Sequence, residues 1–236
     1  MNLLHWSCAL AVLLLSVSAH AAALHTAPDA SLDAEITHTR HLVTRSGVVR
    51  DESWQQRLIR RPGHIWLERI LPAQVYAGHE LESTAEHEAH EHFDFTAAAL
   101  HLMQAADGTL HAEYVDRNSR QVVFVPATEY AAVGFDGSWE RAGDLLSAAE
   151  LQRLKPSQQT PQQAGATTYE NQRGDWFTRV LWNPVLRIAL LIETGTRNGT
   201  VLHRTQVKPL PSTPAAELPW LGLETYTHRE YDDFLD

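Results

Sequence analysis

The stretch Trp176-Phe177-Thr178-Arg179-Val180-Leu181-Trp182-Asn183 decides the fold class, together with Leu186-Arg187-Ile188-Ala189-Leu190-Leu191-Ile192-Glu193-Thr194 just after it. Trp176, Thr178, Val180 and Trp182 recur at every second position, and so do Leu186, Ile188, Leu190 and Ile192. Side chains two residues apart share one face of a strand, so each set is one apolar face of a half-buried strand. Asn183-Pro184 separates the two runs. Gly195 to Gly199 then turns the chain into a third strand, Val201 to Val207. Within that turn Asn198-Gly199-Thr200 also fits a glycosylation acceptor, and the Asn-Gly pair reads as a turn.

Working outward, the first half repeats the pattern. Ile36 to Arg45 alternates and meets Ser46-Gly47. Trp54 to Arg60 and Ile65 to Leu71 flank Pro62-Gly63 as a hairpin. Leu100 and Leu102, then Asp107-Gly108, then Leu110, Ala112 and Tyr114 predict a second hairpin, although the alanines of Thr96 to Ala106 also suit a helix. Arg117 to Arg120 turns into Val122 to Val125. Ser138 opens a predicted helix, and Ser147-Ala148-Ala149-Glu150 is a capping box. Lys155 to Ala166 is Gln/Pro-rich and reads as a loop. Pro209 to Pro219 leads to an acidic end whose Phe234 is expected to dock into the body. Arg60-Arg61 is expected to face solvent.

Strands, a helical insert near 127–155, and strands again predict an α+β domain over 24–236. Its core is a strongly curved antiparallel β-sheet, an incomplete barrel, with helices packed on one face. Trp176 to Asn183, Leu190 to Thr194, the Gly199 turn, Val201 to Val207 and the early Ile65-Trp66-Leu67-Glu68-Arg69 resemble the periplasmic lipoprotein-carrier and lipoprotein-sensor group, the LolA/RseB-like fold. That resemblance implies an apolar cavity for acyl chains between sheet and helices. The apolar strand faces offer Trp66, Phe124, Trp176, Trp182 and Ile188 to line it.

Residues 1–23 read as an export signal. Ala9 to Val17 is apolar but too short to span a bilayer, and Ser18 to Ala23 supplies small residues for cleavage after Ala21 or Ala23. Its n-region lacks Lys and Arg. Cys8, the only cysteine, precedes the apolar run, so no lipid anchor is expected and the mature chain would carry no thiol chemistry. The formal net charge of −10 argues against nucleic acid and against holding an anionic membrane by charge. The expected product is a soluble periplasmic protein without a transmembrane segment after cleavage.

His79 to Asp94 holds the densest set of metal-type ligands. In an extended chain His90, His92 and Asp94 share one side, with Phe93 and Phe95 on the other; in a helix His87 and Glu91 are one turn apart, as are Glu88 and His92. The expected metal residues are His87, His90, His92 and Asp94, with zinc or oxidised copper as the ion and His79, His101 or His111 as a further ligand. A solvated acidic loop and a pH sensor are the other readings of the same residues. No Gly-x-Ser-x-Gly, phosphate loop or His-Glu-x-x-His is present.

The sequence therefore points to an exported, non-enzymatic carrier for a hydrophobic ligand such as a lipoprotein acyl chain, with lipid or lipoprotein as partner. The alternative is a periplasmic metal-binding or metal-delivery protein built on 79–94. A metal-dependent hydrolase is a third class.

Overall fold

The computed structural model describes residues 30–71, 93–157 and 165–234. Twelve strands form one sheet: β1 (Leu32–Val43), β2 (Val49–Arg61), β3 (His64–Ile70), β4 (Ala99–Gln104), β5 (Leu110–Asp116), β6 (Gln121–Val125), β7 (Lys155–Pro156), β8 (Thr167–Arg173), β9 (Trp176–Asn183), β10 (Ile188–Thr196), β11 (Val201–Leu210) and β12 (Thr227–Glu230). Their order across the sheet is β12-β6-β5-β4-β3-β2-β1-β11-β10-β9-β8-β7. β1 to β6 form one antiparallel meander and β7 to β11 a second. The pairing of β1 with β11 joins them.

The turns form where the sequence supplies residues that tolerate the backbone. Pro62-Gly63 closes β2 on β3 with Gly63 at φ +74°. Proline before a positive-φ glycine is the requirement of a type II turn. The Asp107-Gly108, Arg117–Arg120 and Asn198-Gly199 turns also close where expected. The alanine-rich 96–106 segment is a turn and then β4, because Leu102 buries and Leu100 packs half-buried on a sheet whose neighbours are already extended.

The expected fold class needs correcting. The sheet is mixed, since β12 runs parallel to β6, and it is open rather than closed into a barrel. The helices do not form a layer: α1 (Trp139–Asp144) and α2 (Ala148–Gln152) span six and five residues. Ser138 and Ser147 cap them as the sequence indicates, the latter in a complete capping box with Glu150. Leu145 at φ 65° ends α1 after little more than one turn. Only Ala142, Gly143 and Asp144 of the two helices are buried. Loop residues Tyr130 and Phe135 are buried in the same core cluster as Ala142.

Alternation along β1 to β6 splits the apolar residues between two faces. Leu32, Ala34, Ile36, Leu58, Ile65, Leu102, Ala112, Tyr114 and Val125 lie on one face and meet the 126–154 segment. Ile59, Trp66, Ala99, Val115 and Val122 lie on the other. That second face is crossed by the chain after β11. Thr213 bonds Asp33 of β1, Trp220 covers β3 and β4, and Leu223 and Tyr226 reach β5 and β6 before β12 begins. Two straps thus bury opposite faces of one meander. Each fully buried Ile, Leu or Val contributes roughly 1.5–3 kcal/mol.

Arg60 and Arg61 do not face solvent. Arg60 lies on the same face as Leu58 with 1% of its surface exposed. Its guanidinium donates to the carbonyls of Ala30 (2.8 Å), Gly143 (2.7 Å) and Arg187 (3.0 Å), to that of Leu186, and to the Asp144 carboxylate. Arg61 points to the other face and pairs with Asp33 at 2.5 Å. Burial pushes the Asp33 carboxyl up, but hydrogen bonds from Arg61 and Thr213 outweigh it and hold the group below its ordinary value.

Candidate functional site: an apolar cleft and a histidine relay

A cleft of about 350 Å³ opens between β2–β5 and the loop and helix of residues 133–142. Cross-strand pairing brings Leu58 against Leu67 and Gln56 against Arg69, so Leu67 and Arg69 point toward the strap. Leu67, Phe95, Ala98, Leu100, Tyr114, Val133, Phe135 and Ala142 form the apolar lining, with Gln56, Arg69, Thr96, Asp136 and Arg141 as its polar members. The roof is pinned at defined points. Tyr114 donates its hydroxyl to the Val133 carbonyl at 3.0 Å, and burial pushes that phenol up to about 12. Tyr130 donates to the Leu110 carbonyl at 3.1 Å. Arg141 bridges Asp136 (2.6 Å) and Glu150 (2.9 Å), and hydrogen bonding from Arg141 holds the Glu150 carboxyl down at about 2. Phe93 and Phe95 pack on each other, and Phe234 reaches both, so Phe234 docks as the sequence suggests.

The residues expected to line a cavity are placed elsewhere, and none of them borders this cleft. Trp66 is fully buried on the face away from it, and Ile188 is fully buried in the other cluster. Phe124 is half-buried beside His111, and Trp182 is half-buried on β9. Trp176 is 53% exposed at the start of β9.

Of the expected metal residues, His87, His90 and His92, with His79, lie outside the described residues. Asp94 is described and caps a turn. Its Oδ1 accepts from the Thr96 amide (2.8 Å), the Thr96 hydroxyl (2.6 Å) and the Ala97 amide (3.2 Å). The Thr96 hydroxyl is the first cause of its lowered pKa. Among the described residues no group of three His, Cys, Asp or Glu side chains is placed to hold a metal ion.

His101 is instead part of a relay on the strapped face. Its Nδ1 lies 3.2 Å from a Glu113 oxygen, and its Nε2 lies 3.1 Å from His64 Nδ1. The two imidazoles are within 8° of parallel with centroids 5.4 Å apart, so they meet edge to edge. Trp220 lies over both, 5.0 Å from His64 and 5.6 Å from His101. In the tautomer in which His101 donates from Nδ1 to Glu113, its Nε2 accepts from His64 Nδ1. One N–H facing one lone pair along a shared line makes a hydrogen bond; a metal would need two lone pairs that converge on it. Nothing in local spacing announces this set. Only strand register does, because Trp66 pairs with His101 and His101 with Glu113.

Burial holds His38 below the ordinary histidine value although Gln56 pulls it up, and burial followed by the nearby His101 holds His64 below it. Such groups add stability that is fully present above the unfolded value of 6.5 and is lost as pH falls through their lower folded values. The urea midpoint is therefore expected to drop between about pH 7.5 and about pH 5. The drop should be smaller in a His38→Gln, His64→Gln double variant. An equal drop in that variant would place the proton uptake elsewhere.

No protein-family model and no curated protein sequence matches the chain. Solved structures similar to it include the following three. One is PNGF-II, at 12% identity and TM-score 0.37, covering 86% of this chain and 33% of that one; this chain thus spans about a third of that protein. The second is an uncharacterised conserved protein from Thermus thermophilus, at 11% identity and TM-score 0.38, covering 83% of this chain and 90% of that one. The third is a domain considered an outer-membrane lipoprotein-sorting protein, from Vibrio parahaemolyticus, at 9% identity and TM-score 0.31, covering 78% and 88%. Among the described residues no helix is long and apolar enough to cross a membrane.

Proposed function

We propose that this chain is an exported carrier that houses the apolar part of a ligand, such as a lipoprotein acyl chain, in the cleft beneath residues 133–142. The observation that carries the reading is the eight-residue apolar lining from Leu67 to Ala142, open to solvent on a polar rim. A volume of about 350 Å³ falls at the low end of ligand pockets, which run to roughly 1,000 Å³. Convergent polar groups around an apolar floor are the usual arrangement for orienting an amphiphile. Export and a periplasmic location rest on the Ala9–Ala23 segment.

The test is uptake of the neutral apolar dye N-phenylnaphthylamine, read by fluorescence. Leu100→Trp fills the floor of the cleft from β4 and is expected to weaken uptake more than about tenfold, because the dye and the indole compete for one volume. Circular dichroism checks the fold, and Ala98→Leu supplies a milder obstruction. A parent protein that takes up no dye, or two obstructed variants that take it up as well as the parent, would overturn the reading.

A further inference from the structure

We infer that the ligand is an amphiphile with an anionic head, a carboxylate or a phosphate, held by Arg69 at the edge of the cleft. The inference rests on the proposed use of the cleft for an apolar tail. The charged residues of the lining are Arg69, Asp136 and Arg141. Arg141 is already neutralised by Asp136 and by Glu150. Arg69 is not: it is exposed on β3 and, among the described residues, makes no hydrogen bond and no ion pair. The carboxylate in its field, Asp94, has Oδ1 committed to three donors in its own turn.

Among the described residues, Arg69 is thus the one cation of the lining without a hydrogen bond or ion pair, with Asp94 in its field, on a chain whose formal net charge is −10. Register fixes its direction. Arg69 stands two residues beyond Leu67, on the same strand face, and opposite Gln56, which also borders the cleft. A tail lying along Leu67, Leu100 and Phe135 would place its head beside that guanidinium. The fork of donors matches a carboxylate or a phosphate, and a primary alcohol offers it only a weak neutral acceptor.

The experiment displaces N-phenylnaphthylamine from the full chain with dodecanoate, dodecyl phosphate and 1-dodecanol, which share one tail. The two anions are expected to displace the dye at about tenfold lower concentration than the alcohol, with the advantage shrinking at high salt. Arg69→Gln should remove that advantage and leave the alcohol unchanged, and Arg69→Lys should keep part of it. A difference between dodecanoate and dodecyl phosphate would say which head is preferred. Equal displacement by all three, or an advantage that survives in Arg69→Gln, overturns the head-group inference and leaves the cleft reading standing. Absence of dye uptake by the parent protein overturns both.

Discussion

Arg60→Met is expected to lower the stability of the protein by about 3–5 kcal/mol, measured as the shift of a urea denaturation curve. Methionine keeps the length and apolar character of the stem but supplies no donors. The carbonyls of Ala30, Gly143, Leu186 and Arg187 would lose the guanidinium, and the Asp144 carboxylate, 8% exposed as a residue, would lose its nearest cation. Arg187, at 3.5 Å and more exposed, is a weaker substitute. The cause can be separated from simple loss of packing. Combining Arg60→Met with Asp144→Leu removes the stranded charge and should recover part of the loss, as replacement of whole buried ion pairs often does. A double variant no better than the sum of the singles would show that the carbonyl contacts, and not the carboxylate, carry the effect.

Gly195→Ala is expected to cost about 3 kcal/mol, the upper part of the range for overpacking. The glycine sits in β10 where the chain returns into β11. A Cβ there would lie 2.2 Å from the Val201 carbonyl oxygen and 3.1 Å from the Leu202 Cα. Both are backbone atoms of a paired strand, so no side chain can swing away. The neighbouring turn is closed by the Thr196 hydroxyl, which accepts from the Val201 amide at 3.0 Å. Opening the strands to admit a methyl group would stretch that bond. A thermal midpoint within a degree or so of the parent would mean that the strand ends separate freely, contrary to the close approach.

Much of the sheet was legible because each strand announces itself locally. Trp54 to Arg60, Ile65 to Leu71 and Trp176 to Trp182 alternate, and glycines stand where the turns take positive φ. The two straps were not legible. Whether Tyr130 or Trp220 is buried depends on what crosses a face many residues away, and periodicity carries no such information. Arg60 misleads for the same reason: an arginine beside an arginine reads as solvated until the carbonyls that receive it are placed. β12 pairs through four residues with a strand far upstream, too little pattern to find by inspection. The residues lining the cleft were not legible, because a face of the sheet can be read from alternation and the covered part of that face cannot. The Glu113–His101–His64 relay spans three strands and emerges only when their register is known.

The seam between β1 and β11 has a kinetic meaning. Within each meander every strand pairs with one adjacent in sequence, so both can grow by successive hairpins. The seam is different: Asp33 meets Leu210 and Leu42 meets Val201, nearly the whole described chain apart. Closing so long a loop costs entropy before any contact repays it. Two half-sheets can thus assemble early, before the long-range pairings of β1 with β11 and of β12 with β6 form. The β1–β11 pairing is therefore expected to form after the hairpins of either half.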